Sequence, residues 1–356
     1  MRKKTVFIYI VVLLMIIATT CIYILKNEKD TGKEIIISKE STKDYVLEKV
    51  KSGFVTYNGT ELISYDTDME QKWVIAIEEE EADLFSNEDY ILLANPESDE
   101  LYLVKDGTLI HNIETGKKLR AASVNENGYI CALTSDKGYK GQCIVYGKKG
   151  EVLAEYSFGE KYILGAYLMK DNRTLVFNVV EDTSAGYAGK IIYSDIKSGK
   201  EKKEIVSDGI FSYIKVYENK VFLSEDGTFY CYDKNGKEKW SYSYDSGEPL
   251  YIAFSEGYVS MVIKSAEAFR GCEVLTFNFG GRLKGKYETD SHITAFDAHK
   301  GFSSFIVNGE LFLLNKHGKV VGVSETSGDI EKIKLFKDEG KVLLLSDKAV
   351  MKKISR

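Results

Sequence analysis

The chain has 356 residues, a net charge of −6 and 44% hydrophobic residues, a composition that supports a large folded core and excludes a disordered chain. Residues 34–356 contain 42 Lys and Arg against 52 Asp and Glu, a net charge of −10. An acidic domain of this kind disfavours nucleic acid and other anionic polymers as the main ligand, because phosphate binding depends on clustered cations.

The first feature along the chain is an uncharged apolar segment at residues 5–25. Its 21 residues would form a helix about 31 Å long, enough to span a bilayer. Three basic residues precede it, which favours a cytoplasmic N-terminus. We therefore expect residues 1–4 to be a cytoplasmic stub, residues 5–25 a transmembrane anchor and residues 26–33 a linker. The predicted location is the plasma membrane, single-pass, with residues 34–356 outside the cell.

Two other interpretations of this segment are less consistent with its sequence. A cleaved signal peptide has a shorter apolar core, whereas here the apolar run continues through Ile22 and Leu25. A lipoprotein signal needs small residues before Cys21, and Thr19 and Thr20 fit that requirement poorly.

After the linker, one pattern recurs every 37 to 49 residues: a β-rich run, a polar turn and a second β-rich run. The spacing averages about 41 residues, which is typical of four-stranded propeller blades. Glycine at the turn tolerates a positive φ without steric cost. The turn positions are Met69, Gly107, Gly150, Gly199, Gly236, Gly281 and Gly318.

The clearest copy predicts four strands at approximately 212–217, 220–224, 228–233 and 237–244, from alternation and β-propensity. The last copy, Glu331 to Lys353, holds only three. An early apolar run, Glu34-Ile-Ile-Ile-Ser38, is expected to supply its fourth strand and close the ring, because an open ring exposes strand edges. The prediction is an all-β protein, a propeller of eight four-stranded blades over residues 34–356, with seven blades as the alternative.

The turn of that copy, Tyr232-Asp-Lys-Asn-Gly-Lys-Glu-Lys-Trp240, and the similar Tyr65-Asp…Lys72-Trp73 resemble the pyrroloquinoline-quinone-type propeller repeat. As a pattern the resemblance covers nearly all of residues 34–356, but only these two copies keep the tryptophan. The chain also resembles single-pass membrane propellers of Gram-positive bacteria, with a Lys-rich start and a loop such as Gly138-Tyr-Lys-Gly141. This resemblance implies blades and not a particular chemistry.

Catalytic and cofactor features of the quinoprotein dehydrogenases are not found. The sequence has no adjacent cysteines and no haem-attachment motif. His292 and His299 flank Asp297, but no Ser or Cys in a nucleophile-elbow setting accompanies them. No pair among the cysteines has metal-ligand spacing; Cys131 and Cys143 could pair, although buried free thiols are favoured. We therefore expect no enzyme activity, no cofactor and no metal.

Three predicted blades carry enlarged connections between their second and third strands: Gly138–Gly141, Gly186–Gly189 and Ala268–Gly271. Equivalent connections emerge on one face of a propeller, and aromatic residues on such loops are a common recognition surface. This pattern predicts a binding patch on the rim; the alternative is that each aromatic staples its own loop. The patch residues are Tyr139, Lys140, Tyr187, Phe269 and Arg270.

The sequence favours a non-enzymatic, membrane-tethered binding or scaffold propeller of the cell envelope. Its partner would be an envelope or membrane protein or a wall polymer. One alternative is an accessory or sensor subunit that contacts a membrane complex through the helix at residues 5–25. Another is a hydrolase or lyase that uses carboxylates of the propeller channel, because such carboxylates come from dispersed blades and leave no local motif.

Overall fold

The computed structural model describes residues 34–36 and 46–354, except residues 80, 185, 208, 245–247, 266–270, 337–339 and 347. Every regular element in these residues is a strand, and they form eight antiparallel sheets of four strands. The protein is therefore an eight-bladed β-propeller, and the seven-bladed alternative is wrong.

The strands follow one another blade by blade. Blade 1 contains β2 (Val46–Val50), β3 (Gly53–Tyr57), β4 (Glu61–Asp66) and β5 (Gln71–Ala76). Blade 2 contains β6 (Asp83–Asn87), β7 (Tyr90–Ala94), β8 (Glu100–Lys105) and β9 (Thr108–Glu114). Blade 3 contains β10 (Leu119–Val124), β11 (Ile130–Thr134), β12 (Gly141–Tyr146) and β13 (Val152–Phe158). Blade 4 contains β14 (Lys161–Leu168), β15 (Thr174–Thr183), β16 (Gly186–Asp195) and β17 (Glu201–Val206).

The second half of the ring repeats this order. Blade 5 contains β18 (Tyr213–Tyr217), β19 (Lys220–Glu225), β20 (Thr228–Asp233) and β21 (Glu238–Ser243). Blade 6 contains β22 (Tyr251–Ser255), β23 (Tyr258–Lys264), β24 (Cys272–Asn278) and β25 (Leu283–Thr289). Blade 7 contains β26 (Ala295–His299), β27 (Phe302–Val307), β28 (Glu310–Leu314) and β29 (Val320–Glu325). Blade 8 contains β30 (Lys332–Leu335), β31 (Lys341–Leu345), β32 (Lys348–Lys353) and, from the start of the chain, β1 (Glu34–Ile36).

The ring closes in blade 8, where β1 pairs antiparallel with β32 and Ile35 lies opposite Ala349. This pairing confirms the predicted role of the early strand. It joins the first described strand to the last, so that the edge of β32 is covered. Residues 5–25, the predicted anchor, lie outside the described residues; among those described, no helix long and apolar enough to span a bilayer is present.

The recurring turn between the third and fourth strands has a local cause. In blade 5 the Asp233 carboxylate accepts the backbone N–H groups of Asn235 and Lys237, and Gly236 adopts φ +70°. A β-bulge follows, with a register shift between Cys231 and Tyr232. Asp and Asn favour such turns because their side chains imitate the backbone acceptor. The same bonds are made by Asp66, Asn278 and Asn315.

The two tryptophans of the repeat join neighbouring blades. Trp240 of β21 lies against the turn of blade 6, where a Cβ added at Gly281 would be 2.4 Å from its Cγ. Its indole N–H donates to the Phe279 carbonyl at 3.2 Å. Trp73 of β5 lies in the same way against Gly107 of blade 2. Glycine is therefore required at these turns for close approach as well as for its backbone conformation.

The hydrophobic core is divided among the interfaces between blades. Phe222, Phe229 and Cys231 of blade 5, for example, form one buried cluster with Met261 and Phe277 of blade 6. Cys131 and Cys143 are buried and not bonded to each other, which confirms the expectation of free thiols. Each blade packs on its two neighbours. Polar side chains that could bind a ligand are therefore found on the turns and on the channel wall.

Candidate functional site

The predicted rim residues lie at one end of the ring. We call this end, where second and third strands connect, the upper end, and the opposite end the lower end. Tyr139 and Lys140 lie on the connection between β11 and β12, and Tyr187 is the second residue of β16. Phe269 and Arg270 lie outside the described residues, so the part of the predicted patch on blade 6 stays a prediction.

The prediction of an enlarged loop at residues 186–189 is wrong. These residues belong to β16 and pair with the end of β15, with Tyr187 opposite Asp182 and Gly189 opposite Val180. β15 and β16 have ten residues each, more than any other described strand. The additional length of blade 4 therefore forms a tall hairpin and not a loop.

Lys140 connects this hairpin to blade 3. Its ammonium lies 2.8 Å from the Asp182 carboxylate and 4.4 Å from the centre of the Tyr162 ring. The hydrogen bond to Asp182 raises the pKa of Lys140 above its ordinary value. An exposed ion pair contributes little to stability, about 0–1 kcal/mol, but it fixes the blade 3 connection beside the hairpin.

The aromatic rings of this region are presented to solvent. Tyr139 is 48% exposed and Tyr187 is 59% exposed, and neither ring stacks on an aromatic ring of a described residue. Their exposure is more consistent with a recognition surface than with rings that staple their own loops.

Four further apolar side chains, which the sequence reasoning missed, lie in the same region. Tyr162 and Leu164 come from β14, Val206 ends β17, and Ile210 lies on the connection to blade 5. Of the fourteen large hydrophobic side chains exposed in the described residues, eight are scattered over the outermost strands of blades 1, 2, 3, 6 and 7. The remaining six form what we call the upper cluster: Tyr139, Tyr162, Leu164, Tyr187, Val206 and Ile210.

Local backbone features hold the upper cluster in place. Leu164 is the additional residue of a β-bulge between Ile163 and Gly165, and bulges redirect side chains. The connection that carries Ile210 is bound to β16, because the Gly189 N–H donates to the Gly209 carbonyl at 2.5 Å. A Cβ at Gly189 would lie 2.8 Å from that carbonyl oxygen. The 49-residue interval from Gly150 to Gly199, the longest in the repeat, was the sequence signal for this elaborated blade.

Asp297 and His299, the pair considered for catalysis, contact a backbone N–H group and a lysine of other blades. The Asp297 carboxylate accepts the Leu335 N–H at 2.7 Å, and His299 Nδ1 lies 3.1 Å from the Lys49 ammonium. Within the described ranges, no three His, Cys, Asp or Glu side chains come together in a way that could hold a metal ion. The geometry of these residues thus provides no nucleophile with a base.

The fold is similar to that of known β-propellers. BamB from Moraxella catarrhalis is 13% identical, with a TM-score of 0.53 over 91% of this chain and 97% of that one. Sqt1 from Saccharomyces cerevisiae is 11% identical, with a TM-score of 0.60 over 92% and 99%. The Dos1 propeller is 10% identical, with a TM-score of 0.55 over 90% and 94%. At these identities the likeness concerns the fold alone.

Among curated proteins, none matches the sequence. The more specific resemblances, to pyrroloquinoline-quinone-type repeat proteins and to Gram-positive membrane propellers, stay predictions. A family model described as "Family of unknown function (DUF5711)" matches residues 26–354. This match spans the whole propeller, and the chain belongs to that family.

Proposed function

We propose that this protein is a membrane-tethered, extracytoplasmic propeller of the cell envelope that binds a protein partner through the upper cluster on blades 3 and 4. The observation that carries the proposal is the concentration of six exposed apolar side chains at one end of two neighbouring blades. Exposed apolar groups that cluster on a folded protein mark interaction surfaces.

The composition of the cluster favours a protein over a wall polymer as the partner. Three of its members are tyrosines, which combine apolar area with a hydroxyl that can hydrogen-bond, and tyrosine is enriched where proteins bind each other. Lys140 and Asp182 place one charge of each sign among them. A rim of mixed charge around apolar anchors is the usual organisation of a protein interface.

The predicted anchor at residues 5–25 adds to this proposal. A membrane tether raises the local concentration of a membrane-bound partner at the propeller.

Site-specific photo-crosslinking in cells tests this proposal. A photoreactive amino acid at Tyr139 or Tyr187 should crosslink one abundant partner protein. The same photoreactive amino acid placed at Val323, an exposed position on the outermost strand of blade 7, serves as the control. No crosslink at the two tyrosines, or an equal pattern at all three positions, would refute a partner site on the upper cluster.

Replacing residues 5–25 with an unrelated membrane helix separates the alternatives. Under the proposal, the crosslink at Tyr187 survives the replacement. Its loss would show that the helix makes the decisive contact, as expected of an accessory subunit.

A triple change of Tyr139, Tyr162 and Tyr187 to Ala should abolish partner capture and leave the unfolding temperature nearly unchanged, because all three side chains are exposed.

A further inference from the structure

The wall of the central channel has a charge opposite to that of the rest of the propeller. The first strand of each blade lies innermost, where these strands contact one another around the ring. They contain six basic and three acidic residues, although residues 34–356 carry −10 overall. The basic residues are Lys49, Arg120, Lys161, Lys215, Lys332 and Lys334, and the acidic residues are Glu48, Asp83 and Asp297.

Lys215 lies at the middle of this channel. It is the central residue of β18 and the one exposed residue of that strand, so water reaches the centre of the ring. The surrounding protein removes the Lys215 ammonium partly from water, and this lowers its pKa. The negative charge of Glu48 opposes this shift, and the positive charge of Lys334 adds to it. Because these three residues come from blades 5, 1 and 8, their interaction extends across the channel.

The carboxylates of the channel wall do not balance these cations. Glu48 lies 3.8 Å from the Lys334 ammonium and 3.4 Å from the Ser86 hydroxyl. Asp297 accepts the Leu335 N–H and interacts electrostatically with Lys49. Lys215 makes no ion pair with a residue that the structure describes. Glu48 therefore interacts with two lysines, Lys215 and Lys334, and the six cations of the channel wall outnumber its three carboxylates.

The lower end of the channel carries charges of both signs. The turns from first to second strands hold glutamates in blades 2, 3, 5 and 6 and lysines in blades 1, 4 and 7. Lys170 lies 3.9 Å from both Glu126 and Glu218, and Lys300 lies 2.9 Å from Glu256. Glu126 and Glu218 line a small cavity there together with Tyr167, and burial raises the pKa of Glu126. The charges at this end are therefore largely compensated by ion pairs, in contrast to the excess of cations on the channel wall.

We propose that the channel binds a small oxyanion, the phosphate or carboxylate group of a ligand, between Lys215 and Lys334. Ammonium groups that line one channel and are partly removed from water favour a counter-anion that accepts their hydrogen bonds. The site is separate from the upper cluster and does not depend on the partner proposed there.

The test uses the full-length protein in detergent and two probes, inorganic phosphate and citrate, each compared with sodium chloride at equal ionic strength. Thermal unfolding and isothermal titration calorimetry measure the stabilisation and the affinity. We expect at least one probe to raise the unfolding temperature by several degrees once its concentration exceeds Kd. Phosphate alone would identify a phosphate site, and citrate alone a carboxylate site.

Lys215→Met removes the central charge and keeps a side chain of similar length. Its matched control is Lys239→Met, on the exposed outermost strand of the same blade. We expect Lys215→Met to weaken binding at least about tenfold and Lys239→Met to leave it unchanged. Failure of both probes to bind the unaltered protein, or equal binding by the two variants, would overturn the proposal.

Discussion

At the scale of single residues, the turn glycines differ in what surrounds them, and this difference can be measured. Gly199 and Gly281 lie in the corresponding turns of blades 4 and 6, with φ of +66° and +84°. A Cβ at Gly199 would have no neighbour within 4 Å, whereas at Gly281 it would overlap Trp240. Alanine costs about 1–2 kcal/mol at either site for its backbone conformation.

We therefore expect Gly281→Ala to lower the free energy of unfolding by about 1–3 kcal/mol more than Gly199→Ala, because only Gly281→Ala displaces the tryptophan. Urea unfolding of the two variants gives the comparison. Equal losses would mean that the contact between Trp240 and the next blade does not contribute to stability.

Asp195 supplies a prediction about pH. The Lys202 ammonium, 3.1 Å away, and the Arg173 guanidinium, 2.5 Å away, hold the pKa of this carboxyl well below its usual range. A carboxyl whose pKa is lower in the folded state stabilises the protein above its unfolded pKa of about 3.9, and this contribution is lost as the pH falls further. The stability of the unaltered protein should therefore decline in that acidic range.

Asp195→Asn removes this contribution and keeps an oxygen that can accept the Lys197 and Ser198 N–H groups, as the side chains of Asn278 and Asn315 accept N–H groups at the corresponding turns of blades 6 and 7. We expect a lower urea midpoint than the unaltered protein at neutral pH and a difference that shrinks as the pH falls below 4. Asp233→Asn is the control, because Asp233 caps its turn without an ion pair to a described residue. A pH-independent difference for Asp195→Asn would contradict the assignment.

At the scale of elements, the sequence predicts what depends on local pattern. The four strands predicted for the clearest blade agree with β18 to β21 within one residue at each end. Alternation of side chains and an Asp or Asn turn are properties of a few neighbouring residues, so the chain alone reveals them.

The tall hairpin and most of the upper cluster were not predictable in this way. Gly186 and Gly189 suggested a loop, but pairing with β15 places both in a strand. The exposure of Leu164 depends on a bulge, and that of Ile210 on a connection bound to β16. Each of these features is set by a partner strand rather than by the residue's own neighbours in sequence.

β1 is the element on which ring closure depends. In an edge strand, alternate N–H groups point to the partner strand and to solvent, so one of Ile35 and Ile36 donates to β32. Proline removes the N–H, and where the bond is lost we expect a cost of about 3 kcal/mol. Thermal unfolding of Ile35→Pro and Ile36→Pro should show one strongly destabilised and one mildly affected variant.

The destabilised variant should also associate as its concentration rises, because it exposes the edge of β32. Size-exclusion chromatography measures this association. If both variants unfold and elute as the unaltered protein does, β1 does not hold the ring closed.

At the scale of the whole molecule, the charge of the channel opposes folding. Partial removal from water lowers the pKa of Lys215, so its charged form is less stable in the folded ring than in the unfolded chain. A lysine in an ion pair behaves in the opposite way, because its pKa is raised in the folded state and its charge stabilises the fold. The cost is fully present below the folded pKa and disappears as the pH rises towards the unfolded value of about 10.4.

Without an added oxyanion, Lys215→Met should therefore unfold at a higher temperature than the unaltered protein at pH 7, by a few degrees at most because channel water screens the charge. The difference should shrink towards pH 10 and in high salt. Lys239→Met, on the outer strand, should show neither trend. If Lys215→Met lowers the unfolding temperature at pH 7, then Glu48 more than compensates Lys215, and the centre of the ring holds no surplus positive charge.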